Sequence, residues 1–169
     1  MVDRLTGYVK CEMTSNKGTD AAISGIKNWG ALYGFPHKCI ADGGPVFRDD
    51  FTKKITKLNI KHVPSSSYHS QSNSLAECGV QSVKNCIKKS AERFTTLHLN
   101  EMVFSINTTE SSEGTGSPSD RFFGRALRTN LPNSVNPDIK VDELIRKRIE
   151  KPDFGYNKKN KREKKYYMK

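Results

Sequence analysis

The chain has 169 residues, of which 34% are apolar, and it carries 29 Lys and Arg against 18 Asp and Glu. That length suits one domain of ordinary size, and the low apolar share predicts that part of the chain stays outside the core. There is no run of about 18 apolar residues and no signal-peptide pattern, so neither a membrane span nor a secretory leader is expected.

The net charge of +11 points to an anionic partner, most often nucleic acid. The charge is uneven. Lys140 to Lys169 holds twelve Lys or Arg against five Asp or Glu, a net of +7, so this stretch reads as a basic tail or simply as a solvated end. Cys11, Cys39, Cys78 and Cys86 show no C-x-x-C spacing. His37, His62, His69 and His98 show no zinc-ligand spacing with them. Reduced thiols in an intracellular protein, nuclear or cytoplasmic, are the expectation.

In chain order, "GYVKCEM" (7–13) alternates and predicts a strand. Residues 17–34 place Ala22, Ile26, Trp29 and Tyr33 at helical spacing, with Gly34 as C-cap. "HKCIAD" (37–42) predicts a short strand. Residues 49–59 predict a helix with Phe51, Ile55 and Leu58 inward, and "IKHVP" (60–64) a further strand. "SSSYHSQS" (65–72) is a polar loop. The strongest helix runs from Asn73 to about Glu92, with Ala76, Val80, Val83 and Ile87 at i, i+4, i+7 and i+11. Another covers about 97–107, a Ser- and Gly-rich loop follows, and "SPSDRFFGR" predicts a helical turn with Pro118 at its first position. Beyond Pro132 the composition predicts a loosely attached helix near 140–151 and then disorder. Strands alternating with helices define an α/β domain.

In open α/β sheets the working groups collect at the carboxyl ends of strands. Asp42 in "CIADGGPVF" stands at such an end, and the glycines after it keep bulk away from its carboxylate. Glu77 falls in the first turn of the long helix, where the helix dipole favours a carboxylate. Taken singly, Asp42 reads as a turn former and Glu77 as a helix-start charge. The long helix also lines up Glu77, Gln81, Lys84 and Lys88 on one stripe beside the apolar one. This stripe is either a solvated face or a track for a phosphate backbone.

Together, "ADGGPVF", "NIKHVPSSSYHSQSNSLAE", "VQSVKN", "VDRLTGYV" and "FFGRALRTNLP" strongly resemble the catalytic core of retroviral and retrotransposon integrases, especially the Ty3/gypsy-like group. The resemblance covers about residues 2–132. It implies a ribonuclease-H-like fold, a mixed sheet flanked by helices, and an ancestral polynucleotidyl transferase activity of the DDE type serving DNA integration. By resemblance Asp42 and Glu77 are the second and third acids of a triad that holds Mg²⁺ or Mn²⁺. By the same resemblance Tyr68 and Asn73 lie on a flexible loop that meets DNA and Lys84 matches a position that contacts viral DNA ends, while Gln81 and Lys88 are DNA-binding candidates through their place on the helix stripe. DNA is the implied partner, and a homodimer the implied assembly. The implied layout is an incomplete core over 1–110, a loop and "GRALRTNLP" segment over 111–135, and a basic tail over 136–169.

The sequence departs from the family in several places. The family's first acid lies on a strand upstream of the one matched by "VDRLTGY", so that strand and acid are expected to be missing, with Asp3 a poor substitute. Weak metal binding and little or no activity follow. Ser70, Ser74 and Cys78 replace a family proline, glycine and arginine, and the Asp42-to-Glu77 spacing is one residue short near Asn59. Three readings stand: an inactive integrase core fragment, a domesticated DNA-binding or assembly module without catalysis, and an active transferase drawing a third acid from Asp3 or a partner chain.

Overall fold

The computed structural model describes residues 1–65, 74–89, 95–110, 114–129 and 141–150. Helix α1 spans Thr19–Tyr33, strand β1 Lys38–Ala41, a 3₁₀ turn Pro45–Phe47, α2 Asp49–Thr56 and β2 Lys61–Pro64. Then come α3 (Ser74–Lys89), α4 (Thr96–Thr108), α5 (Pro118–Phe123) and α6 (Val141–Glu150). Strands β1 and β2 pair in parallel, with Lys38 opposite Lys61 and Ala41 opposite Pro64.

One core joins the first half of the chain. Ile23 and Ile26 of α1 meet Phe51 and Ile55 of α2 and Ile60 at the entry to β2, with Ala22, Cys39, Phe47 and Leu58 packed around them. Burying each large side chain of this set stabilises the fold by about 1.5–3 kcal/mol. Helix α2 ends where its pattern ends. Asn59 adopts a left-handed φ of 57°, Ile60 N–H donates back to Ile55 C=O at 3.2 Å and Asn59 N–H to Thr56 C=O at 3.0 Å. This is the terminating motif in which Asn is the usual alternative to Gly. It turns the chain directly from α2 into β2.

A second core is built from Val9, Val83 and Leu99, with Val2, Cys11, Ile87, Val103 and Ile106 packed against it. Here the strand expected over 7–13 is reduced to a single antiparallel bridge between Val2 and Val9. The turn between them uses Gly7 at φ 79°. The alternation that predicts a strand is real, but Val9 finds a side chain where a neighbouring strand would lie. Val9 N–H donates to Asn107 Oδ1 at 2.8 Å, and Asn107 Nδ2 donates to Val9 C=O at 2.7 Å. The carboxamide of this buried α4 residue satisfies both backbone groups of Val9.

The apolar stripe of α3 also differs from its expected position. Val80 is 51% exposed, while Gly79 is buried beneath the Val2–Val9 bridge. A Cβ at position 79 would sit 2.8 Å from Val2 Cγ2 and 3.6 Å from Val9 Cγ2. Helix α3 therefore turns the side without a side chain toward the hairpin, and residues 79, 83 and 87 line the contact. Hydrophobicity alone favours Val80, because a glycine carries no apolar signal.

Helix α5 is fixed by two polar devices. Ser117 accepts from Asp120 N–H at 3.1 Å while Asp120 accepts from Ser117 N–H at 2.9 Å, a capping box with Pro118 at the first helical position. Arg121, 3% exposed, donates to Thr6 C=O at 2.9 Å, Thr115 C=O at 2.7 Å and Gly116 C=O at 2.6 Å. It ties the amino-terminal turn to the loop before α5. Tyr8, Trp29, Tyr33, Phe122 and Phe123 form an aromatic cluster joining hairpin, α1 and α5, with Tyr8 stacked on Phe122 at 4.4 Å. Helix α6 docks with Leu144 over Gly116, where a Cβ would lie 2.7 Å from Leu144 Cδ1.

Candidate functional site

Asp42 follows directly on β1, level with Ser65, whose N–H donates to Ala41 C=O at 2.8 Å. Its side chain is exposed. Oδ1 accepts from Gly44 N–H at 3.0 Å, which sets the carboxylate at the lip of the strand. A side chain at the second glycine would press only on the mobile end of the exposed Asp42 carboxylate, and the backbone angle there is one any residue adopts. Gly44 has φ −61°, and a Cβ there would stand 2.9 Å from Asp42 Oδ1. The 3₁₀ turn behind it is held by Thr19 Oγ1, which donates to Val46 C=O at 2.9 Å, and by Phe47 set edge-on to Phe51 at 5.0 Å. The acid thus stands on an anchored loop.

Glu77 lies in the first turn of α3 and is exposed. Gln81, Lys84 and Lys88 are exposed on the same side of the helix, opposite the buried Gly79 and Val83. Gln81 Nε2 donates to Asn85 Oδ1 at 2.8 Å. Among the described residues no ion pair holds Lys84 or Lys88. The stripe of one acid, one amide and two cations is therefore present as a solvent-facing track. Tyr68 and Asn73 lie outside the described residues.

Asp3 is occupied elsewhere. Its Oδ2 accepts from Thr6 N–H at 2.7 Å and from the Thr6 hydroxyl, while its main chain closes the turn, with Asp3 N–H donating to Tyr8 C=O and Gly7 N–H to Asp3 C=O, each at 2.8 Å. Asp3 is a turn-fixing residue. Hard carboxylate oxygens suit Mg²⁺ or Mn²⁺, and a two-ion site clamps both the attacking and the leaving oxygen. Among the described residues no group of three His, Cys, Asp or Glu could hold a metal ion. Asp42 and Glu77 by themselves do not fit a two-ion centre.

Asn107 and Arg121, which hold the hairpin, carry almost no mark in the sequence that sets them apart from surface residues. Arg121 alone has a faint one, its place just inside a capping box. Elsewhere the electrostatics are structural. Burial pushes the Cys11 and Cys39 thiols up, and burial together with the Tyr33 hydroxyl pushes the Tyr8 phenol up. At Glu12 burial opposes ionisation, but hydrogen bonds from Lys10 at 2.6 Å and Asn28 at 3.1 Å win and hold the carboxyl below its ordinary range.

Comparison with known proteins places this architecture. A simian T-cell lymphotropic virus intasome, solved with PP2A regulatory subunit B56 gamma, contains a chain that matches with a TM-score of 0.65 at 19% identity, over 82% of this chain and 52% of that one. The catalytic core of bovine immunodeficiency virus (BIV) integrase gives 0.61 at 17% identity, over 73% and 82% of the two chains. The HTLV-2 integrase catalytic core solved with magnesium gives 0.58 at 21%, over 70% and 79%. In sequence, the uncharacterized protein K02A2.6 of Caenorhabditis elegans is 27% identical over 150 residues, which is 85% of this chain and 12% of that protein. No family model matches.

The chain has the ribonuclease-H-like fold of retroviral integrase catalytic cores. Sequence motifs and fold agree on that class. It spans about half of the intasome chain it matches and about an eighth of the worm protein.

Proposed function

We propose that the chain is a DNA-integration core domain that binds the phosphate backbone along the exposed face of α3, with Asp42 and Glu77 as its metal-facing acids. The observation that carries this reading is the shared exposure of Glu77, Gln81, Lys84 and Lys88 opposite a packed face, in a fold shared with integrase cores. Lysines with no ion pair among the described residues can meet phosphates without first breaking a contact. The two acids retain affinity for a single divalent ion, and strand transfer requires a further acid. The HTLV-2 core was solved with magnesium in dimeric and trimeric forms, which supports a divalent ion and self-association; a homodimer acting on DNA inside the cell is part of the proposal.

Two measurements separate binding from catalysis. Duplex affinity in EDTA is expected to persist, to fall steeply with salt, and to weaken in K84Q/K88Q. Mn²⁺ binding by calorimetry is expected to be weak, lost in D42N or E77Q, and unchanged in D3A. Loss of metal binding in D3A would place Asp3 in the site instead. Mn²⁺-dependent nicking abolished by D42N would show a chain that is catalytic as it stands.

A further inference from the structure

We propose that the end of the β1–β2 layer where the strands begin is a second docking surface for a nucleic-acid duplex, separate from the exposed face of α3. The inference rests on the reading that the chain binds DNA. In the parallel register Lys38 stands opposite Lys61, and both are exposed. Neighbouring strands lie about 4.8 Å apart, so two ammonium stems leave the same face of the sheet side by side. The next pair turns the other way. Cys39 packs on the α1–α2 core, and the His62 ring sits edge-on to Phe51 at 5.2 Å with Nδ1 2.7 Å from Thr52 Oγ1.

Like charges set directly opposite one another weaken a strand pair. Among the described residues no carboxylate offsets Lys38 or Lys61. Exposed His37 adjoins them, its C=O accepting from Lys61 N–H at 3.0 Å. Exposed Lys57 caps α2 only four residues before Lys61. By contrast, Lys54 on the same helix is paired with both Asp20 at 2.6 Å and Asp50 at 2.8 Å. Among the described residues the lysines at the strand starts have no acid partner, while Lys54, three residues before Lys57, has two.

The strand starts themselves carry lysines and no large exposed apolar side chain, and Phe35, 50% exposed three residues before Lys38, lies against Gly30 of α1, so the strand starts offer an anionic polymer mainly charge. That suits a phosphate backbone, which is bound through its charges, better than a peptide, which needs anchors in pockets. Along β1 the strand rises about 3.3 Å per residue, which sets Lys38 roughly 13 Å from Asp42. A duplex on this rim therefore lies at the opposite end of the layer from the acid.

The test is fluorescence anisotropy of the full chain with a labelled duplex, in EDTA, across a salt series. Each phosphate contact contributes about 0.9 to the slope of log affinity against log salt. K38Q/K61Q is expected to lower that slope by about 2, K84Q/K88Q by about 2, and the four together by about 4. K17Q/K27Q, which removes the same charge elsewhere on the surface, controls for net charge. A K38Q/K61Q slope that matches this control overturns the proposal. A flat response in K84Q/K88Q with a reduced slope in K38Q/K61Q keeps it and removes the α3 reading. Absence of any duplex binding removes both. Polyglutamate that displaces duplex from the wild type but not from K38Q/K61Q, at equal charge concentration, assigns the rim to an acidic protein instead.

Discussion

Asn107→Ala tests the device that replaces a strand. The wild-type carboxamide accepts from Val9 N–H and donates to Val9 C=O, at 2.8 and 2.7 Å, from a side chain that is 2% exposed. Truncation leaves a donor and an acceptor on Val9 without partners, next to a residue that is itself 5% exposed. An unsatisfied buried polar group costs about 1–3 kcal/mol. Two of them, partly relieved by water entering the space, give a loss of roughly 2–4 kcal/mol. In a chain of this size that lowers Tm by about 5–15 °C. Equilibrium urea unfolding followed by circular dichroism gives the free energy. Asn107→Asp refines the test, because the introduced carboxyl keeps the acceptor but turns an oxygen toward Val9 C=O. Burial and that carbonyl raise its folded pKa above the unfolded value. The penalty is then absent below the unfolded pKa, grows as pH rises through the window between the two, and is full above the folded one. An Asn107→Ala variant within about 0.5 kcal/mol of wild type, the range of ordinary surface changes, would show that Val9 does not depend on this carboxamide.

Arg121→Lys keeps the charge but cannot reproduce a planar fork reaching Thr6, Thr115 and Gly116 C=O together. A loss of about 2–4 kcal/mol is expected in the same urea assay, and a loss below 1 kcal/mol would assign the site to charge alone. Gly79→Leu forces a side chain into the Val2–Val9 bridge and should cost about 1–3 kcal/mol, whereas Val80→Ala, at an exposed position, should change stability by less than about 0.5 kcal/mol; the reverse order would restore the stripe read from hydrophobicity. Glu12→Gln tests the link between residues 10–12 and α1. The folded Glu12 pKa is lowered, so its contribution is present above the unfolded value and is lost as pH falls through the folded one. With a third of the side chain exposed, the effect is about 0.5 kcal/mol at pH 7, and the two proteins should converge in acid. A difference that instead grows on acidification contradicts the sign.

Helix α1 was legible nearly to the residue, because Ile26 and Trp29 repeat at its period and Gly34 stops it with φ 86°. Helix α2 was legible for the same reason, with Phe51 and Ile55 now 1% and 0% exposed. The Ser117–Pro118 start of α5 could be read from its capping chemistry. What escaped has a common cause. Gly79 and Asn107 fit partners more than 60 residues away in sequence, and Arg121 joins one such partner, Thr6, to two near ones, while periodicity reports only near neighbours. A glycine at a close approach is silent on any hydrophobic scale, and a buried Asn or Arg reads as a surface residue until its partners are known. The places of Asp42 at a strand end and Glu77 in a first helical turn were legible for the opposite reason, since their loop and helix patterns are local.

The hairpin, α4 and α5 are held by Asn107 and Arg121, whereas Asp42 and Glu77 are exposed and bury nothing. Asp42 makes one hydrogen bond, to Gly44 N–H, which an Asn carbonyl can accept equally well. The residues that hold the fold are therefore not the two exposed acids. A D42N or E77Q protein should keep the unfolding midpoint of the wild type, so a lost metal signal in either variant reports on ligation and not on folding. Substitutions at the exposed acids cost little stability, while substitutions at Asn107 or Arg121 remove the structure on which any site would stand.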